Sequence, residues 1–220
     1  MTVKIFIYII MTDWSVYYFG GVDLMTVNTK EKILNSAVNL FSKNNYHAVS
    51  MNQIAEDADL SKGTLYWHFD SKEELFSKIL IRGIDYFKKR FREILNSEQK
   101  TEDKIYSLVE IVVNTFSENM NLIILFKNNS PIITQELEDK KCQQHQGFLD
   151  IISQIIEEGI KRGAITAKKA NELSLMVLSI LFSDQIIRML RNNSSQKQLQ
   201  KTIDFIYDFI MYGITGKESN

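Results

Sequence analysis

Apolar positions recur at helical spacing along most of the chain. Ile33, Leu34, Ala37, Val38, Leu40 and Phe41 share one side of a first helix. Asn28, with Glu31 three residues on, suits its start, and Asn44 and Asn45 mark its end. Met51, Ile54, Ala55 and Ala58 repeat at i, i+3, i+4 and i+7 on a short second helix. Ser50 and Gln53 have capping-box spacing at its start, and the run Ala58 to Ser61 breaks it. Ser61 caps a third helix through Phe69. Ser71 and Glu74 form a second capping box that opens a long fourth helix, whose stripe Phe76, Leu80, Ile84, Phe87, Phe91, Ile94 lasts about five turns.

Further helices are predicted at 102–119, with Ile105, Leu108, Val112 and Phe116 inward, and at 120–128. Ser130 and Pro131 read as an N-cap followed by proline at the first helical position. The long helix after them stops at Lys161, Arg162 and Gly163, with cations in its last turn. The apolar-rich 168–191 follows, then 197–212 with Leu199, Ile203, Ile206 and Ile210 inward. There is one proline, and no repeat or low-complexity stretch interrupts the series. The expected fold is all-α.

The third helix poses the functional question. If Leu65 and Phe69 anchor it, a rotation of about 100° per residue turns Trp67 away from the core, beside Gly63 and Thr64, with Tyr66 and His68 on the flanks. Two short helices joined by a tight turn, the second with a polar and aromatic outer face, suit a helix-turn-helix. Lys62 and Thr64 would reach base edges, and Gly63 would let the backbone approach closely. Trp67 offers an apolar surface to a thymine methyl group. Tyr66 and His68 would bond phosphates, and Ser50, Ser61 and Lys72 sit at helix N-termini that favour anionic oxygens. The competing reading packs Tyr66, Trp67 and His68 against later helices, as most aromatics do.

The run SKGTLYWHFDSKEELF, preceded by ILNSAVNLFSKNNYHAVSMNQIAEDADL, resembles the DNA-binding domain of TetR-family transcriptional regulators over about residues 29–76. The resemblance implies about nine helices: a helix-turn-helix domain at 26–73 and a larger effector-binding and dimerisation domain at 74–216. It implies a homodimer, joined through the last two helices, that binds a palindromic double-stranded DNA operator and is released by a small molecule. By position, Ser50, Ser61, Tyr66, His68 and Lys72 match the family's phosphate contacts, and Lys62, Gly63 and Thr64 its base-reading positions. Two residues depart from the pattern. Asp59 stands where glycine is usual, and Trp67 where tyrosine is common. An activator of the same fold, or a helical small-molecule-binding protein without a DNA role, are the alternatives.

Net charge is −1. Residues 29–80 hold six lysines (30, 32, 43, 62, 72, 78) against seven acids (31, 56, 57, 59, 70, 73, 74), so any grip on DNA relies on placed contacts rather than bulk charge. Cys142 is the only cysteine, which suits a reducing, cytoplasmic setting. No apolar run is read as the ~18–20 residues of a membrane span. Residues 1–25 are read as a leader, with Met25 as the natural start. No paired carboxylates, nucleophile with a nearby base or phosphate loop suggests an enzyme, and no cofactor is expected. Glu138, Cys142 and His145 share a helix face and could ligate a metal, but a solvated polar stripe is the better reading. An apolar effector cavity is expected among Phe87, Phe91, Phe116, Met120, Phe126, Phe148, Phe182 and Met176. Asp184 falls on the apolar stripe of 168–191, where it must be paired, bind a ligand or sit at an interface rim.

Overall fold

A computed structural model describes residues 24–44, 46–128, 135–166, 169–191 and 195–215. These residues form helices and connecting turns, with no strand among them. The helices are α1 Leu24–Lys43, α2 Met51–Asp57, α3 Lys62–His68, α4 Lys72–Leu95, α5 Thr101–Glu118, α6 Met120–Asn128, α7 Gln135–Lys161, α8 Ala170–Leu181, α9 Asp184–Arg191 and α10 Gln196–Thr215. A 3-10 turn, Tyr46–Ala48, leads into α2. The all-α expectation holds. The leader, except its last two residues, and the Ser130–Pro131 cap lie outside the described residues.

Two boundaries differ from the sequence reading. α1 begins at Leu24 instead of Asn28; no glycine or proline separates the two, so nothing stops the helix from extending upstream. The expected helix over 168–191 is two, separated by Phe182 and Ser183. Within Ala170–Arg191 an 18-residue window of mean hydropathy 1.6 is long and apolar enough to cross a membrane by length and composition alone, but the break at Phe182 and Ser183 divides that stretch into two shorter helices.

The chain packs as two compact units, the first running through Gly83 and including Asn121–Lys140, the second comprising Ile84–Met120 and the chain from Lys141 onward. In the first, Ile33, Ala37 and Phe41 of α1 meet Ile54, Leu65, Phe69, Leu75 and Phe76, with Leu122 and Leu125 of α6 in the same cluster. This core fixes α2 and α3. An Arg82–Glu31 ion pair at 3.0 Å also ties α4 to α1.

In the second unit α5 packs along α10 and α9. Lys104, buried near the start of α5, donates to the Leu95 carbonyl at 2.6 Å and to Glu158 Oε2 at 2.8 Å, so its charge is compensated. α7 stops as predicted at Gly163, which takes φ 76° while Ala164 N–H bonds the Gly159 carbonyl at 2.9 Å.

Candidate nucleic-acid interface

Each short helix carries a serine cap. Ser50 Oγ accepts from Gln53 N–H at 3.2 Å, and Gln53 Oε1 accepts from Ser50 N–H at 2.8 Å, completing the predicted capping box of α2. Ser61 Oγ accepts from Thr64 N–H at 3.1 Å and lies 2.8 Å from the Thr64 hydroxyl. The second box differs: Ser71 Oγ accepts from Glu74 N–H, but Glu74 Oε2 reaches one residue further back, to Asp70 N–H at 2.7 Å.

Between α2 and α3 the chain turns through Asp59 at φ 56°, the only non-glycine with positive φ among the described residues. Ala58, Asp59 and Leu60 close the end of α2 through N–H bonds to Ile54, Glu56 and Ala55. Aspartate thus takes the left-handed position that glycine usually fills.

α3 is held by Leu65, 0 % exposed, with Phe69 at its end 1 % exposed. Their burial sets the rotation of the helix, leaving Trp67 72 % and Tyr66 41 % exposed. Lys62 and Gly63 are exposed, and Thr64 and His68 are half-buried. The Lys62 ammonium lies 5.7 Å from the Tyr66 ring centroid, and the Trp67 and His68 rings meet edge-on at 4.6 Å. A Cβ on Gly63 would meet only Ser61 Oγ, at 3.7 Å. Nothing inside the chain therefore requires glycine at that helical position, where it lowers helix stability. The His68 imidazole titrates below its ordinary value, because burial and then the Lys30 charge disfavour its cation.

Lys72 starts α4 as expected, but its ammonium folds inward. It donates to the carbonyls of Tyr46 at 2.9 Å and Val49 at 2.8 Å, and lies 4.3 Å from the Tyr46 ring centroid. Burial lowers its pKa, opposed by the Glu73 charge. The Tyr46 hydroxyl donates to Glu73 Oε1 at 3.0 Å. Sequence reasoning did not identify Tyr46 or Glu73, since the three-residue turn that places Tyr46 has no periodic signature.

Of the expected effector residues, the structure brings together Phe87, Phe91, Phe116 and Phe148. Phe182, at the α8–α9 break, touches all four, with centroids 5.4, 6.4, 5.9 and 5.9 Å away. Met120 is half-buried, and the Phe126 side chain lies outside the described residues. Two expectations are corrected. Met176 is 63 % exposed, on the outer side of α8. Asp184 is exposed as the first residue of α9, because the break resets the helical phase, and Ile186, Ile187 and Leu190 take the inner face. Glu138, Cys142 and His145 are exposed along α7, and no cluster able to hold a metal occurs among the described residues. Among the described residues, the large exposed apolar side chains besides Tyr66 and Trp67 are Leu175 and Met176 on α8 and Phe205, Phe209 and Tyr212 on α10.

Residues 33–79 match the family described as bacterial regulatory proteins, tetR family, and residues 82–213 match the C-terminal region of YsiA-like protein. The uncharacterized HTH-type transcriptional regulator YhgD of Bacillus subtilis is 28 % identical over 64 % of this chain and 74 % of its own length. The HTH-type transcriptional regulator UidR of Escherichia coli is 25 % identical over 73 % and 85 %. The fold is also that of the transcriptional regulator FadR from Bacillus subtilis in complex with stearoyl-CoA, with TM-score 0.67, 21 % identity, and coverage of 83 % of this chain and 98 % of that one.

Proposed function

The chain belongs to the TetR family of bacterial regulatory proteins, and from that premise we propose that it is a homodimeric repressor of a palindromic operator, released by a small apolar effector. The observation that carries the reading is the outward face of α3. Leu65 and Phe69 are buried, while Trp67 stands 72 % exposed beside a glycine that has no internal reason to be one. A large aromatic left in solvent is unfavourable unless it meets a partner, and a bare helix face of this width fits a major groove. Lys62, Gly63, Thr64 and Trp67 would face the bases; Ser50, Ser61, Tyr66 and His68 would face the backbone.

The second copy is supported by the exposed strips on α8 and α10. Phe205, Phe209 and Tyr212 fall at i, i+4 and i+7, one stripe of unpartnered apolar surface. The effector reading is supported by the five-phenyl cluster around Phe182, an apolar aromatic region of the chemistry such a molecule would need. Its acyl-CoA-bound relative is consistent with that chemistry.

A gel shift against the DNA upstream of the protein's own gene tests the reading. Retention that survives nonspecific competitor should be lost in Lys62→Ala, Tyr66→Ala and Trp67→Ala but kept in Cys142→Ser. Retention indifferent to all four substitutions would remove α3 from the interface.

A further inference from the structure

We propose that Lys72 is a positioning residue for the DNA-reading helices, acting through the peptide that leads into α2 instead of as a phosphate ligand. This rests on the DNA-binding reading above. An ammonium has three protons. Two of them go to the Tyr46 and Val49 carbonyls, and the Tyr46 ring lies 4.3 Å from the charge.

The Val49 carbonyl belongs to the peptide whose N–H is that of Ser50, and this N–H donates to Gln53 Oε1 at 2.8 Å. One peptide plane is therefore held from both edges, by Lys72 at oxygen and by Gln53 at nitrogen. That holds the N-terminal side of Ser50, whose φ of −102° and ψ of 157° are the extended geometry from which α2 starts. Glu73 grips the same segment from the other end, through the Tyr46 hydroxyl. Tyr46 cannot yield, since it is 1 % exposed, with the rings of Phe41 and Phe76 5.5 and 5.2 Å away. The first turn of α4 thus sets where the Ser50 hydroxyl points and how α2 begins. At most one Lys72 proton remains for anything outside, and turning the ammonium toward DNA would take donors from two carbonyls.

The test uses the full-length protein and a duplex that it selects from a random-sequence pool. Lys72→Met should weaken binding about tenfold, with an unchanged slope of log affinity against log salt concentration. Ser50→Ala, costly in the wild-type background, should cost little more in Lys72→Met, because both act through one contact. Lys72→Arg should also weaken binding, since a planar guanidinium does not replace a point charge set between two carbonyls and a ring.

A salt slope reduced by about 1 in Lys72→Met, strictly additive losses with Ser50→Ala, or wild-type affinity in Lys72→Arg would each overturn the inference in favour of direct phosphate contact. If circular dichroism shows Lys72→Met unfolded, the Lys72→Arg affinity decides alone. A pool from which the wild-type protein enriches no sequence defeats the DNA-binding reading itself, and the inference with it.

Discussion

The Leu60 backbone N–H donates to the Ala55 carbonyl at 2.9 Å, closing the end of α2 across Asp59, which stands at φ 56°. A left-handed residue with a Cβ costs roughly 1–2 kcal/mol, less for aspartate than for most. Glycine removes that strain but loses more entropy on folding. Asp59→Gly should therefore raise stability by a net of about 0.5 kcal/mol, and Asp59→Val should lower it by more than about 1 kcal/mol. Urea unfolding checks both. An Asp59→Val protein as stable as wild type would contradict the turn geometry.

Gly63 should separate stability from function. Its missing Cβ meets open space apart from Ser61 Oγ at 3.7 Å, so Gly63→Ala should stabilise α3 by up to about 1 kcal/mol. The same methyl group would stand between the helix backbone and a DNA groove, so affinity should fall. Thermal unfolding and a gel shift on one preparation measure the two signs. Improved stability with unchanged affinity would mean that no groove approaches this residue.

The outward face of α3 was legible because one short helix sufficed: with Leu65 and Phe69 buried, helical geometry alone turned Trp67 outward. Asp59 was marked too, as a departure from the glycine that the resemblance expects, and its φ of 56° shows the left-handed turn that glycine usually fills. What escaped depended on tertiary structure or on unmarked breaks. Lys72 reads as a free cation at a helix start, and only folding brings it to carbonyls 26 and 23 positions away. The α8–α9 break contains neither glycine nor proline, so the apolar pattern ran through Phe182 and Ser183 and carried Asp184 onto the wrong face.

His68 provides a pH test. Burial first, then Lys30, holds its imidazole below the ordinary value of about 6.5. The neutral ring favours the fold, so its contribution is present above about pH 6.5 and is lost as pH falls through the lower folded value. A phosphate beside the ring would raise that value again, coupling DNA binding to proton uptake. Affinity should accordingly tighten between about pH 7 and about pH 5.5 while the fold persists, and His68→Gln should flatten the profile. An equally steep profile in His68→Gln would assign the titration to another group.

The dimer prediction turns on which side of α10 is charged. From the sequence, Ile203 and Ile206 would be the positions at which an added charge separates the copies. In the structure both are buried within one chain, 2 % and 3 % exposed, on the side where α10 packs against α5. The opposite side carries Phe205 and Phe209, 60 % and 61 % exposed. A carboxylate at Ile206 would sit unpaired in the core, at a cost of about 3–5 kcal/mol, so Ile206→Asp should unfold the second unit. A carboxylate at Phe209 costs the single chain little but would face its own symmetry mate across a two-fold axis. Phe209→Asp should therefore stay helical by circular dichroism, sediment at half the wild-type mass, and bind an isolated half-site while losing the full operator. A folded Phe209→Asp protein that still sediments as a dimer would move the interface off this stripe.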